Sequence, residues 1–414
     1  MTGPAIHQRV RHPLRQALDA LATDVALAAA RRIKVGRLTV QTPDGDRRTF
    51  GDPASPIHGE MHIHDVVALR RLLLAGETGG GDAYVDGSWS SPDLVALILL
   101  AVANRQALAL SDGWWRRPAG VARAVAHRRA ANTRSGSRRN IAAHYDLGNE
   151  FYALWLDETM TYSSALFETA DQSLADAQRA KYRRLADLAG LRPGMEVLEV
   201  GTGWGGFAML AAQERGCRVT SITISAAQQA LARQRVEAAG LGDRVDVQLR
   251  DYRDVTGRYD AIVSIEMLEA VGARYLPTFF ETCDRVLREG GRCALQVITF
   301  RDDAFRAQLQ GANWIQRNIF PGGELPSLAA IEAALGRTRF VIDSATDIRW
   351  SYARTLETWR RSFLSQRETV RGMGFDERFL RMWEYYLAIS EAGFRSGLCQ
   401  DLQIGLSIRP GSPP

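Results

Sequence analysis

Residues 196–206 read EVLEVGTGWGG, an apolar run closing on four glycines, and a helical segment follows from Gly205. A strand, a turn in which Gly201 and Gly203 present no Cβ, and a helix N-terminus with unbonded N–H groups make a cradle for a cofactor. Nicotinamide and flavin enzymes use a similar turn, but they place an acidic residue about 20 residues on to hold a ribose hydroxyl. Here the next strand, RVTSITI at 218–224, ends in hydroxyls and carries no carboxylate. An adenosine cofactor other than a dinucleotide is therefore expected. More chemistry-bearing residues follow each later strand: Thr223 and Gln228, then Asp251 and Tyr252, then Glu266 and Glu269. If a helix has begun at Glu266, the two glutamates share a face. Carboxylates that close couple, so one stays ionised while the other holds a proton near neutral pH.

The elements that must position these residues alternate. Strands are expected at 195–200, 218–224, 244–249, 259–265 and 292–299, with helices starting near Gly205, Ala226 and Arg274. This predicts an α/β fold, a doubly wound parallel sheet with its ligand at the carboxyl ends of the early strands. Residues 1–110 read differently, as a small α+β domain. A helix over 12–34 places Leu14, Leu18, Leu21, Val25 and Leu27 on or near one face, and a hairpin turns at Pro43-Asp44-Gly45. A strand at 60–64 leads into a helix over 66–75, Gly79–Gly81 break the chain, and Ser91 caps a helix with Pro92 at its first position. His62 and His64 lie on one strand face with no further ligands nearby, so they read as surface or interface residues.

At 414 residues two domains are expected, and 46% hydrophobic with 24% charged residues is the composition of an ordinary soluble globular protein. The four cysteines form no C-x-x-C pair, which argues against zinc or disulfides and fits a reducing cytoplasm. Neither a signal peptide nor a membrane span is seen, since the longest apolar run is Leu94–Ala103. Between Arg116 and Arg139 stand eight arginines and no acidic residue. This 111–139 segment reads as a linker, and a polybasic linker is attracted to anionic surfaces. Residues 140–408 form the catalytic domain and 409–414 a disordered tail.

Upstream of the glycine turn lie HYDLGN at 144–149 and MTYSSALF at 160–167; downstream lie TISAAQ at 223–228 and EMLEAVG at 266–272. In this order the motifs resemble the cyclopropane-fatty-acyl-phospholipid synthase family of S-adenosylmethionine-dependent methyltransferases. GDAYVDGSW at 81–89 is similar to the N-terminal domain of members that act on phospholipids. The resemblance implies a class I methyltransferase sheet, mostly parallel, and S-adenosylmethionine as cofactor. Gly201, Gly203 and Trp204 would line the methionine and adenosine site, with Thr223 and Gln228 near the ribose. Asp251 and Tyr252 would flank the adenine, and Tyr162 and Ser163 would close over the cofactor. It implies transfer of a methyl carbon to a cis double bond of an unsaturated phospholipid acyl chain, through a carbocation. Trp204, Tyr162, Phe167, Trp314, Phe320 and Tyr352 are candidate liners of the lipid tunnel.

A base must then take a proton from the cation. Ring-forming members hold a bicarbonate for this with a Cys, a Glu, a His and a Tyr. Here Glu269 and Tyr352 match, but Ser164 stands for the Cys, Gln296 for the His, and Glu266 for a usual Gly. Two adjacent carboxylates repel an anion, and one can accept the proton itself. Two products follow, a cyclopropane or a methyl- or methylene-branched chain like those of members that begin branched or furan-containing fatty acids. The partners implied are acyl chains at the inner face of the membrane, a homodimer, and a downstream reductase or oxidase. The enzyme is expected in the cytoplasm, peripherally attached to that membrane. Two competing readings are a methyltransferase of another small molecule and a lipid-binding protein without catalysis. No base-modifying motif follows the fourth strand, so no nucleic-acid partner is expected.

Overall fold

Val197, Leu198 and Val200 are buried on both faces of the strand that ends at the glycine turn, which places that strand in the middle of a sheet. The structure is a computed structural model that describes residues 13–108, 147–308 and 312–409. The Arg-rich linker, His144 to Asp146 of the HYDLGN motif and residues 410–414 of the tail lie outside the described residues. Two compact units result, residues 1–119 with Asp376–Tyr385, and residues 120–375 with 386–414.

In the first unit, β1 (Arg37–Gln41), β2 (Arg47–Gly51), β3 (His58–Ile63) and β4 (Trp89–Ser90) form a sheet in the order β2-β1-β3-β4. Residues 376–385 join it through Arg381, which donates to the carbonyl oxygens of Tyr84 (2.6 Å) and Trp89 (2.7 Å) and stands over the Tyr84 ring. Three expectations fail here. The glycines at 79–81 do not break the chain: the helix Val67–Val85 runs through them and kinks at Gly76, with φ 61°. A Cβ on Gly79 would lie 2.1 Å from the Arg71 carbonyl oxygen, so glycine permits the close approach behind the kink. The cap before Leu94 is Asp93, whose carboxylate accepts from the Ala96 N–H at 2.9 Å. Finally, Leu27 does not share the face of Leu18, Leu21 and Val25: the helix Pro13–Ala30 buries Ala22, Leu27 and Ala30, while Leu18, Leu21 and Val25 are 55%, 60% and 37% exposed. His62 bonds Glu60 and His64 bonds Ser90.

The second unit is built on β5 (Glu196–Val200), β6 (Arg218–Thr223), β7 (Val245–Leu249), β8 (Tyr259–Ile265), β9 (Leu287–Phe300), β10 (Phe340–Asp347) and β11 (Cys399–Ile408). Their order is β10-β11-β9-β8-β5-β6-β7, with β5 to β9 parallel and β11 antiparallel to both neighbours. β5 thus lies between β6 and β8, where the strand order reverses and a crevice opens at the carboxyl ends. On one face Leu198, Ile262, Leu295 and Val297 pack with Phe279, Phe280 and Ile331. On the other, Val197, Val263 and Ala294 pack with Leu185, Phe207 and Ala232. Among the described residues no helix is long and apolar enough to cross a membrane.

Candidate active site

The glycine turn leaves β5 with Gly201 at φ 102°, Gly203 at φ 51° and Gly205 at φ 86°, a backbone region that side chains with a Cβ avoid. The N–H groups of Gly201 and Thr202 both bond the Ile222 carbonyl oxygen, anchoring the turn to β6. A Cβ on Gly203 would meet nothing within 4 Å, so the turn faces open space, whereas one on Gly201 would press on Met267 at 3.2 Å. The turn therefore fits a ligand that needs close backbone approach. At the end of β6 the Thr223 hydroxyl donates to Gln228 Oε1 (2.9 Å) and accepts from the Ser225 N–H (3.1 Å). Asp251, after β7, accepts from the backbone and the guanidinium of Arg253, and Tyr252 turns its ring edge to Phe279.

Trp204 is buried, and its indole N–H donates to Asn149 Oδ1 at 2.8 Å. Trp204 and Tyr162 both pack on Tyr152, and Tyr162 also meets Trp155 and Trp359. The Tyr162 and Tyr386 hydroxyls bond each other at 2.7 Å, and Phe320 packs edge-on to Tyr386. Phe167 is apart from this group, under the Arg354 guanidinium. Trp314 is fully buried on its own short helix.

The carboxylates form the centre. Glu266 has φ 47°, so it is no part of a helix, and the condition for a shared helical face fails. The sharp turn after β8 brings the two glutamates together instead. Glu266 Oε1 accepts from the Ser164 N–H and from Gln296 Nε2, both at 2.8 Å, and Oε2 accepts from the Tyr352 hydroxyl at 2.8 Å. These three donors belong to the residues that the resemblance assigns to bicarbonate. The Ser164 hydroxyl points away, to the Ala165 carbonyl oxygen. With those donors engaged, the residues present do not fit a bicarbonate ion.

Burial raises the pKa of Glu266, against the charge of Lys181 and its three hydrogen bonds. Glu269 accepts from the Ile298 N–H at 2.5 Å, and its Oε2 is enclosed without a partner. Burial, then the neighbouring Glu266, pushes Glu269 up to about 8. Three hydrogen-bond donors and Lys181 favour the anion at Glu266, whereas burial and the neighbouring Glu266 favour the protonated form of Glu269.

Sequence reasoning missed three residues. Lys181 is wholly buried on the helix Leu174–Leu188, where its ammonium donates to the Ser163 hydroxyl at 2.5 Å and burial lowers its pKa to about 8. Asp401 and Gln403, on β11, reach Gln296. The visible signal was polar residues alternating in an otherwise apolar strand, CQDLQIGLSI.

The chain matches the family described as Mycolic acid cyclopropane synthetase over residues 132–404. It is 42% identical to the tuberculostearic acid methyltransferase UfaA1 of Mycobacterium tuberculosis, over 99% of this chain and 96% of that one. It is 34% identical to the cyclopropane-fatty-acyl-phospholipid synthase of Escherichia coli K12, over 83% and 86% of the two chains. Among solved structures, mycolic acid cyclopropane synthase CmaA1 complexed with SAH and CTAB superimposes with a TM-score of 0.61 at 30% identity. That match covers 65% of this chain and 97% of the other.

Proposed function

The chain belongs to the mycolic acid cyclopropane synthetase family and is an S-adenosylmethionine-dependent methyltransferase of lipid acyl chains; from that premise we propose that its product is methylated but ring-free. The observation that carries this reading is Glu266, whose carboxylate accepts the Ser164, Gln296 and Tyr352 donors. S-adenosylmethionine supplies an electrophilic methyl carbon. Gly201, Gly203 and Trp204 would hold its methionine and adenosine parts, Thr223 and Gln228 its ribose, and Asp251 and Tyr252 its adenine. Tyr162 and Ser163 would close the site.

The alkene of the acyl chain spends its π pair on the new C–C bond while the S–CH3 bond breaks and its pair returns to sulfur as a neutral thioether, which leaves a cation on the adjoining carbon. The faces of Tyr162, Trp204 and Trp359 are electron-rich and exclude water from it. Ring closure would need a methyl C–H pair to close onto the cation. If a neighbouring hydride shifts first, loss of a proton from the added carbon leaves a methylene branch instead. Glu266, ionised and fixed, takes that proton in this reading. A methylene branch needs two further electrons and two protons to become a methyl branch. A separate reductase would supply them.

The substrate places the enzyme at a bilayer. Leu18, Leu21 and Val25 face outward on the first helix, with Arg31, Arg32 and Lys34 exposed at its end, which supports docking through this surface. The test of function is the product of purified enzyme on cis-unsaturated phospholipid vesicles, resolved by gas chromatography because ring and methylene forms share one mass. A methylene chain formed without added bicarbonate is expected. Cyclopropane alone, stimulated by bicarbonate, would sink the reading.

A further inference from the structure

Glu266 is oriented by a second layer of side chains across β9 and β11. Gln296 on β9 turns its NH2 to Glu266 Oε1 (2.8 Å) and Asp401 Oδ2 (3.1 Å), with the Ser164 carbonyl oxygen at 3.4 Å. Its own Oε1 accepts from Gln403 Nε2 at 3.0 Å. In the antiparallel register Gln296 lies opposite Gln403, and Ile298 opposite Asp401, so these polar side chains share one sheet face. All three are 0% exposed.

A glutamine amide has nearly the same shape after a half turn about its last bond, but donor and acceptor exchange places. Turned over, Gln296 would set its carbonyl oxygen against Glu266 and Asp401, and its NH2 against the NH2 of Gln403. Gln403, with its NH2 turned to Gln296 Oε1, and Asp401, as an acceptor of the Gln296 NH2, both disfavour that rotamer. The titratable groups facing Glu266 are Lys181 from the helix Leu174–Leu188, Glu269 from its own turn and Asp401 from β11, whose pKa burial raises, with the Tyr352 phenol beside it.

We propose that Gln403 and Asp401 are positioning residues for the reaction, locking the Gln296 amide with its NH2 toward Glu266 and so keeping that carboxylate ionised and aimed. This rests on the reading of Glu266 as proton acceptor. Neither residue touches the reacting atoms; both act through Gln296.

The experiment is a double-mutant cycle in the full chain with Gln403→Met, Gln296→Met and both together, assayed on cis-unsaturated phospholipid vesicles. Gln403→Met should lower kcat about tenfold, roughly the worth of one hydrogen bond to a charged group, with KM for S-adenosylmethionine unchanged. The acid limb of its kcat profile should move to higher pH, because Glu266 loses a donor to its charged form. In the Gln296→Met background, Gln403→Met should change nothing further. Asp401→Asn, which keeps an acceptor, should retain turnover, while Asp401→Leu should behave like Gln403→Met. Additive losses in the cycle, or a fall in kcat with the pH profile unmoved, would overturn the positioning role. Wild-type turnover in Glu266→Gln would instead overturn the reading on which it rests.

Discussion

Glu266 accepts the Tyr352 hydroxyl at 2.8 Å from a backbone held at φ 47°, a conformation that costs a side chain about 1–2 kcal/mol and that glycine adopts without penalty. The strained residue is held from both ends, since its N–H also bonds the Gln296 carbonyl oxygen at 2.7 Å. Strain maintained at a residue whose side chain takes three donors supports the proposed role of Glu266.

Glu266→Gln should cut kcat by about 10²–10⁴, the usual range for loss of a general base. Glu269→Gln should stay within about tenfold of wild type at pH 7, because an amide imitates the protonated carboxyl that burial and Glu266 favour there. Steady-state turnover of both variants decides this. Equal losses would make the two carboxylates jointly essential.

Product choice should be switchable. Glu266→Gly removes the carboxylate that engages Ser164, Gln296 and Tyr352. Combined with Ser164→Cys and Gln296→His, it should make the product shift toward cyclopropane and turnover depend on bicarbonate. Gas chromatography of the acyl chains, with and without bicarbonate, reads both outcomes.

Gly201→Val should abolish S-adenosylmethionine binding. Valine is strained at φ 102°, and its Cβ would lie 3.2 Å from the Met267 side chain that follows β8. Calorimetric titration beside a circular-dichroism melt separates lost binding from lost fold. Normal affinity in a folded variant would contradict the assigned cradle.

Replacing Leu18, Leu21 and Val25 together by serine should weaken binding to anionic vesicles more than tenfold, since each buried aliphatic side chain is worth about 1.5–3 kcal/mol. Turnover on a detergent-dispersed substrate should persist. Flotation assays measure the first and a micellar assay the second. Unchanged flotation with a loss of oligomer on gel filtration would assign the stripe to a second copy of this chain.

Stability should fall as pH rises from about 5 to 8. Glu269 is raised to about 8 in the folded protein, so the native state binds more protons than the unfolded chain across that window. Glu199, raised to about 8 by burial, acts in the same direction. Lys181, lowered to about 8, has the opposite sign and adds stability only above that pH. Thermal melts from pH 5 to 8 should show the decline, and Glu269→Gln should flatten part of it.

The sequence alone determined the five parallel strands and their glycine turn, because period, β-branched runs and glycines act over a few residues, but not the antiparallel β10 and β11 that complete the sheet. It also determined the family, since ordered motifs persist whatever surrounds them. It named Ser164, Glu266, Gln296 and Tyr352 as neighbours through that resemblance, and the folded chain joins them in one hydrogen-bonded group. What it could not contain is direction. The apolar stripe of the first helix suits a core or an outer face equally, and only packing turned Leu18 and Leu21 outward. Gln403 and Asp401 lie more than 100 residues from Gln296, and only the antiparallel register of β9 with β11 sets them side by side. The left-handed backbone at Glu266 is likewise a tertiary result, because local sterics oppose it and only partners from distant segments compensate.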